Sequence, residues 1–167
     1  PLHHGLEFTG GLLMSLWAGA TTSFISNLNS RRILEMMTTT GTTAMITVPR
    51  ILQLLVDRLS RVEPRGVHGQ SPEAEALRRL RLIVSGGAPL GGRLFDACVK
   101  LGLTVHEGYG LTEASPIVTV NPSGRAKRGS VGQALPGVEL RIEGAKAPGE
   151  AGHVLVRGAN VMAGYFG

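Results

Sequence analysis

Between residues 30 and 106, short runs rich in β-branched residues alternate with longer stretches whose apolar residues recur at helical spacing, and this alternation narrows the fold more than any other feature. Ala44-Met45-Ile46-Thr47-Val48, Leu82-Ile83-Val84-Ser85 and Leu103-Thr104-Val105-His106 read as strands. Pro49 opens a helix with Ile51, Leu52, Leu54, Leu55, Val56 and Leu59 on its apolar face. Ser71-Pro72-Glu73-Ala74 supplies the cap, proline and early carboxylate of another helix, ending near Leu80. Residues 90–101 predict a third, carrying Leu94, Phe95, Ala97, Cys98 and Val99. Strands and helices in turn, at these lengths, mean a parallel sheet with crossover helices.

Upstream, the spacing predicts a helix over 6–17 stopped by Gly19, a short strand at Thr22-Ser23-Phe24-Ile25, and a helix through Met37 with Ser30 as its N-cap. After about Pro116 the pattern changes. Ile117 to Val120, Val138 to Ile142 and Val154 to Arg157 are short strands separated by Gly/Pro-rich turns, without helices between them. The expectation is an α/β fold: a mainly parallel sheet with crossover helices over residues 1–115, then the start of a small antiparallel β subdomain over 116–167.

Composition removes several classes. With 43% apolar and 17% charged residues in 167, the chain is neither disordered nor a charged coiled coil. Its one cysteine, Cys98, excludes a disulfide framework and a thiolate zinc site, which makes a reducing compartment the default. The net charge of +5 suits anionic ligands without choosing among them. Dispersed cations and an aromatic set of four Phe, two Tyr and one Trp argue against a nucleic-acid binder. Residues 8–30 carry no charge and are long enough to cross a bilayer, yet Gly10, Gly11, Gly19, Thr21-Thr22-Ser23, Asn27 and Asn29 break the run, so no transmembrane span is expected. The opening Pro1-Leu2-His3-His4, without an initiator methionine or leader, reads as the start of an excised piece, and the apolar ending at Tyr165-Phe166-Gly167 agrees.

The 24 glycines are far above the average usage of about 7%, and many stand just after strands. Ser85-Gly86-Gly87-Ala88-Pro89-Leu90-Gly91-Gly92 leads from a strand into a helix, where open α/β sheets bind ligands and bare backbone can touch a flat one; a simple tight turn fits these residues equally well. Glu107-Gly108-Tyr109-Gly110-Leu111-Thr112-Glu113 follows the next strand. Tyr109 offers an aromatic face for a base, Thr112 a hydroxyl for a phosphate oxygen, and Glu113 a carboxylate for a hard cation such as Mg²⁺.

These two segments, followed by Gly129-Ser130-Val131-Gly132 with Pro136-Gly137, by Gly149-Glu150 with Gly152, and by Val156-Arg157-Gly158 through Gly164-Tyr165, resemble the ordered motifs of the adenylate-forming superfamily across essentially the whole chain. Within it the chain is most similar to the acyl-CoA synthetases, and Pro1-Leu2-His3-His4 resembles their proline-leucine-x-histidine segment. The resemblance implies a ligase that converts a carboxylic acid, in the first instance a fatty acid, and ATP to acyl-AMP, then passes the acyl group to coenzyme A. It implies that Glu113 binds Mg²⁺ and that Thr112 binds the α-phosphate, these two being the catalytic pair. Tyr109 would pack on adenine, and Gly86, Gly87, Ala88, Glu107 and Gly108 would line the nucleotide. Gly110 would admit the acyl carboxylate, with His4 at the mouth of the acyl pocket. A cytoplasmic protein is implied, membrane-associated if its substrate is a long-chain fatty acid.

Three parts of the superfamily pattern are expected outside these residues: a Ser/Thr/Gly-rich phosphate loop ending in lysine upstream, and downstream a ribose-binding aspartate shortly after Gly167 and a small C-terminal domain with a catalytic lysine. Thr38-Thr39-Thr40-Gly41-Thr42-Thr43-Ala44-Met45 imitates that loop but has no lysine. Relatives that activate amino acids place an aspartate where this chain has Gly5, so a plain carboxylic acid is favoured, although Glu7 stands close by. Arg125, Lys127 and Arg128 form a basic loop before Gly129-Ser130 that could attract phosphates, with a solvated loop the favoured reading. On its own the fragment is expected to be inactive, and the competing reading is a non-catalytic module that binds a nucleotide or a partner.

Overall fold

The computed structural model describes residues 4–25, 28–122 and 124–166, so Pro1, Leu2 and His3 of the opening motif lie outside the described residues. Three parallel strands form its base: β1 (Ala44–Thr47), β2 (Leu82–Ser85) and β3 (Val105–Tyr109). Ala44 pairs with Leu82, and Ile83 with Val105, so Thr47 and Ser85 at the carboxyl ends of β1 and β2 stand in one row with Glu107 in the middle of β3. The helices α3 (Pro49–Val62) and α4 (Pro72–Arg79) connect β1 to β2, and α5 (Gly92–Lys100) connects β2 to β3. This is the expected α/β architecture.

Local chemistry explains the helix starts. Pro49 and Pro72 each open a helix, where a missing N–H costs nothing, and Ser71 Oγ accepts from Ala74 N at 3.1 Å. The helix α2 (Ser30–Thr40) begins one residue earlier than expected. Asn29 is its N-cap, its side chain accepting from Arg32 N at 2.9 Å, which moves Ser30 into the helix. The threonines at its far end spend their hydroxyls on helix carbonyls: Thr38 and Thr39 on Glu35 O at 2.8 and 2.9 Å, Thr40 on Met36 O at 2.7 Å. The imitation phosphate loop is thus a helix terminus.

One face of the sheet is sealed. Leu52, Leu55 and Leu59 of α3 are fully buried, with Ile33, Leu34 and Met37 of α2, Leu77 of α4, Leu94 and Cys98 of α5, and Ile83 and Val105 of the sheet around them. A fully buried side chain of this kind contributes about 1.5–3 kcal/mol. The opposite face carries a π-helical segment, Glu7–Leu13, continued by α1 (Met14–Trp17). Gly10 permits this approach, because a methyl there would press on the Ile46 side chain of β1. Phe8, Met14, Leu16, Trp17 and Phe24 remain exposed.

The strand expected at Thr22-Ser23-Phe24-Ile25 is not formed. The segment is irregular, with the Thr22 hydroxyl donating to Gly11 O at 3.2 Å in place of ladder pairing. Beyond β3 the sheet continues antiparallel through β4 (Thr119–Val120) and β5 (Gln133–Ala134), so the first strands after Pro116 extend the same sheet. The strands β6 (Val138–Glu143) and β7 (His153–Gly158) form a separate antiparallel pair. Among the described residues no helix is long and apolar enough to cross a membrane.

Candidate functional site

Glycine turns and a narrow loop meet where β2 and β3 end. Gly86 N donates to Thr47 O at 3.2 Å, keeping the start of the glycine turn in step with β1. Glu107 belongs to β3 itself and is buried, its Oε1 accepting from Leu90 N at 2.9 Å. The carboxylate of one strand therefore anchors the turn that follows its neighbour, and it satisfies a buried N–H that would otherwise be costly. Gly86 and Gly108 are neighbours across the strands, the Gly108 carbonyl oxygen lying 4.0 Å from the position a Gly86 Cβ would take. Gly87 and Ala88 are exposed beside them.

The next loop is tighter. Tyr109 pairs with Thr119, its N–H donating to Thr119 Oγ1 at 3.3 Å, and Val118 N donates to Tyr109 O at 2.9 Å. A Cβ on Gly110 would overlap the Pro116 carbonyl oxygen, so only glycine allows the two arms to close. Thr112, Glu113 and Ala114 form a single 3₁₀ turn at the tip, with Thr112 exposed and Glu113 half-buried. The Tyr165 hydroxyl donates to Glu113 Oε1 at 2.7 Å. That hydrogen bond, helped by the residue's own amide and opposed by desolvation, holds the Glu113 carboxyl below the usual carboxylate range, so it is ionised at neutral pH.

The amino-terminal segment reaches the same rim. Leu6 Cδ2 lies 3.1 Å from where a Gly86 Cβ would stand, and Pro116 Cβ lies 3.0 Å from that of Gly5. His4, exposed, starts this segment, its carbonyl accepting from Phe8 N at 2.9 Å. A side chain in place of Gly5 would therefore press on Pro116. The structure brings Gly86, Gly108, Gly110 and the residues just after His4 together at the carboxyl ends of β2 and β3, with Tyr109 closing β3 and Thr112 and Glu113 on the adjoining loop. These groups form an open rim. A cavity of about 340 Å³ between α5 and the 124–126 loop, lined by Phe95, Cys98, Val99, Leu103 and Thr104 among others, lies at the opposite end of β3 and contains none of them. Arg128 of the basic loop pairs with Asp96 on α5. Tyr165 was missed as a site residue by sequence reasoning, because 52 positions separate it from Glu113 and no periodicity links them.

The profile of the family described as AMP-binding enzyme matches residues 1–166. The chain belongs to this family. It is similar to the long-chain-fatty-acid–CoA ligase of Salmonella typhimurium, 34% identical over 143 residues that take in 75% of this chain and 26% of that protein. It is also 31% identical to the 2-succinylbenzoate–CoA ligase of Bacillus mycoides over 99% of this chain and 33% of the relative. Among solved structures, ATP-bound MatB from Rhodopseudomonas palustris superimposes with a TM-score of 0.80 at 31% identity, over 99% of this chain and 31% of that one. This member of the AMP-binding enzyme family thus spans about a third or less of the length of these relatives.

Proposed function

We propose that the whole protein is an acid–thiol ligase that activates a carboxylic acid, a fatty acid in the first instance, with ATP, and transfers the acyl group to coenzyme A. The observation that carries this reading is the convergence of the Gly86–Ala88 turn with Gly108 at the carboxyl ends of β2 and β3, beside a tip that presents Thr112 and an ionised Glu113. In the first step an acid oxygen attacks the α-phosphorus of ATP and pyrophosphate leaves. In the second a thiolate attacks the acyl carbonyl and AMP leaves. Neither step requires a covalent enzyme intermediate, so the demand on the protein is placement and charge stabilisation.

Each residue then has a role. Tyr109 packs against adenine, while Gly86, Gly87, Ala88 and Gly108 let backbone approach the nucleotide and acyl group. Glu107 shapes that surface from beneath through Leu90 N. Thr112 donates its hydroxyl to the α-phosphate, Gly110 leaves room for the acyl carboxylate, and His4 stands at the acyl entrance. Magnesium is held through substrate phosphates and one or two carboxylates rather than an all-protein cage, and a single ionised carboxylate at Glu113 fits that requirement. The metal would neutralise charge on the phosphate oxygens.

The phosphate loop and the lysine domain of the superfamily pattern would complete the site in the whole protein, working in the cytoplasm. The test is pyrophosphate release by that protein across a panel of carboxylic acids of increasing chain length. Release with a fatty acid is expected, and Glu113→Ala should lower the rate at least about tenfold, roughly 1.4 kcal/mol of transition-state stabilisation. An unchanged rate removes Glu113 from the metal site.

A further inference from the structure

Three hydrogen bonds reach the Thr112–Ala114 turn from the segment that follows β7. Asn160 Nδ2 donates to Ala114 O at 2.9 Å, Met162 N donates to Glu113 O at 2.9 Å, and the Tyr165 hydroxyl donates to Glu113 Oε1 at 2.7 Å. The first two hold the backbone of the turn. The third acts on the carboxylate itself. Tyr165 is 74% exposed, so burial of its ring does little to keep it in place. A phenol bonded to one oxygen of a carboxylate limits rotation about the last side-chain bond and leaves the other oxygen, Oε2, as the donor for a cation.

The geometry points to Tyr165 as a positioning residue for Glu113, one that fixes how the carboxylate meets the metal–nucleotide complex and links the β6–β7 unit to the site. This rests on the reading of Glu113 as the Mg²⁺ ligand. A tyrosine that merely anchored the segment after β7 would behave differently on removal: the turn would loosen, and nucleotide affinity would fall equally with and without metal. A positioning tyrosine affects only the metal-dependent part.

The experiment is a calorimetric titration of the whole protein with ATP, once with Mn²⁺ and once with EDTA, for the wild type, Tyr165→Phe and Glu113→Gln, with Mn²⁺ binding followed by electron paramagnetic resonance. Tyr165→Phe should weaken the Mn²⁺-dependent affinity about tenfold, as expected for loss of a hydrogen bond to a charged group, while the metal-free affinity and the melting temperature stay at wild-type values. Glu113→Gln should abolish the metal-dependent increment. If the wild type shows no such increment, or Glu113→Gln retains it, the metal-ligand reading fails and takes this inference with it. If Glu113→Gln loses the increment while Tyr165→Phe keeps it within a factor of about two, or loses metal-free affinity in parallel, only the positioning role is overturned.

Discussion

The parallel half of the molecule and the β6–β7 pair are held by different forces. In the first, Leu52, Leu55 and Leu59 are sealed between α2, α5 and the sheet. In the second, most strand residues of both β6 and β7 are exposed on either face, with Leu140, Ile142, Val154 and Leu155 among the exposed apolar side chains. What holds the later region is its backbone ladder, six residue pairs from Val138–Gly158 to Glu143–His153, together with close approaches where a side chain would not fit. Large residues specify the first region and small ones the second.

The largest expected effect tests that contrast directly. Leu59→Ala should cost about 3 kcal/mol, because a fully buried leucine leaves a cavity its neighbours cannot fill, whereas Leu155→Ala, at a residue 41% exposed, should cost less than about 1 kcal/mol. Urea unfolding monitored by circular dichroism reads both. Equal losses would mean that the β6–β7 pair has a hidden core of its own, and the contrast would break.

The second test exchanges the roles of large and small. Gly132, just before β5, has φ +89°, and a Cβ there would overlap the Val120 carbonyl of β4. Gly132→Ala adds one methyl yet should cost about 2 kcal/mol, through left-handed strain and overpacking against backbone. It should therefore exceed Leu155→Ala in the same unfolding measurement. A neutral Gly132→Ala would show that the loop shifts freely, and close approach would no longer explain how β5 is seated against β4.

The same division explains what was legible in the sequence. The sealed half announces itself, because burial on one face imposes periodicity: Leu52, Leu55, Val56 and Leu59 mark α3, and β1 and β2 appear as apolar runs at the expected places, whereas β3 starts two residues later than Leu103 and takes in Glu107, Gly108 and Tyr109, which were expected to follow it. Proline and serine signals at Pro49 and Ser71 were legible because a helix start is local chemistry. Pairing is not local. The apolar run at Thr22-Ser23-Phe24-Ile25 looks like a strand but stays irregular, while Gln133-Ala134, with no strand signal, becomes β5 because the chain passes beside β4. At the site, the glycines and Tyr109-Gly110-Leu111-Thr112-Glu113 were readable as residue types in order. The inward turn of Glu107 toward Leu90 N and the reach of Tyr165 to Glu113 were not, since each depends on two distant segments being brought together.

The smallest expected effect concerns the tie between the 124–130 loop and the sealed half. Arg128 donates to both carboxylate oxygens of Asp96 at 2.9 Å, and both side chains are more than half exposed. The guanidinium hydrogen bond holds the Asp96 carboxyl below its ordinary value against the opposing effect of desolvation, with the guanidinium charge a lesser push in the same downward direction. A carboxyl depressed in the folded state adds stability above its unfolded pKa and loses it as pH falls through the folded value. Asp96→Asn should therefore lower the melting temperature slightly at neutral pH. The difference should shrink through the acid range below the ordinary aspartate pKa of about 3.9 and vanish once pH falls below the depressed folded value. High salt should also reduce it, because an exposed pair is screened. A difference that persists in acid would mean that Asp96 acts through packing on α5 instead of through its charge, and the loop would then belong with the sealed half.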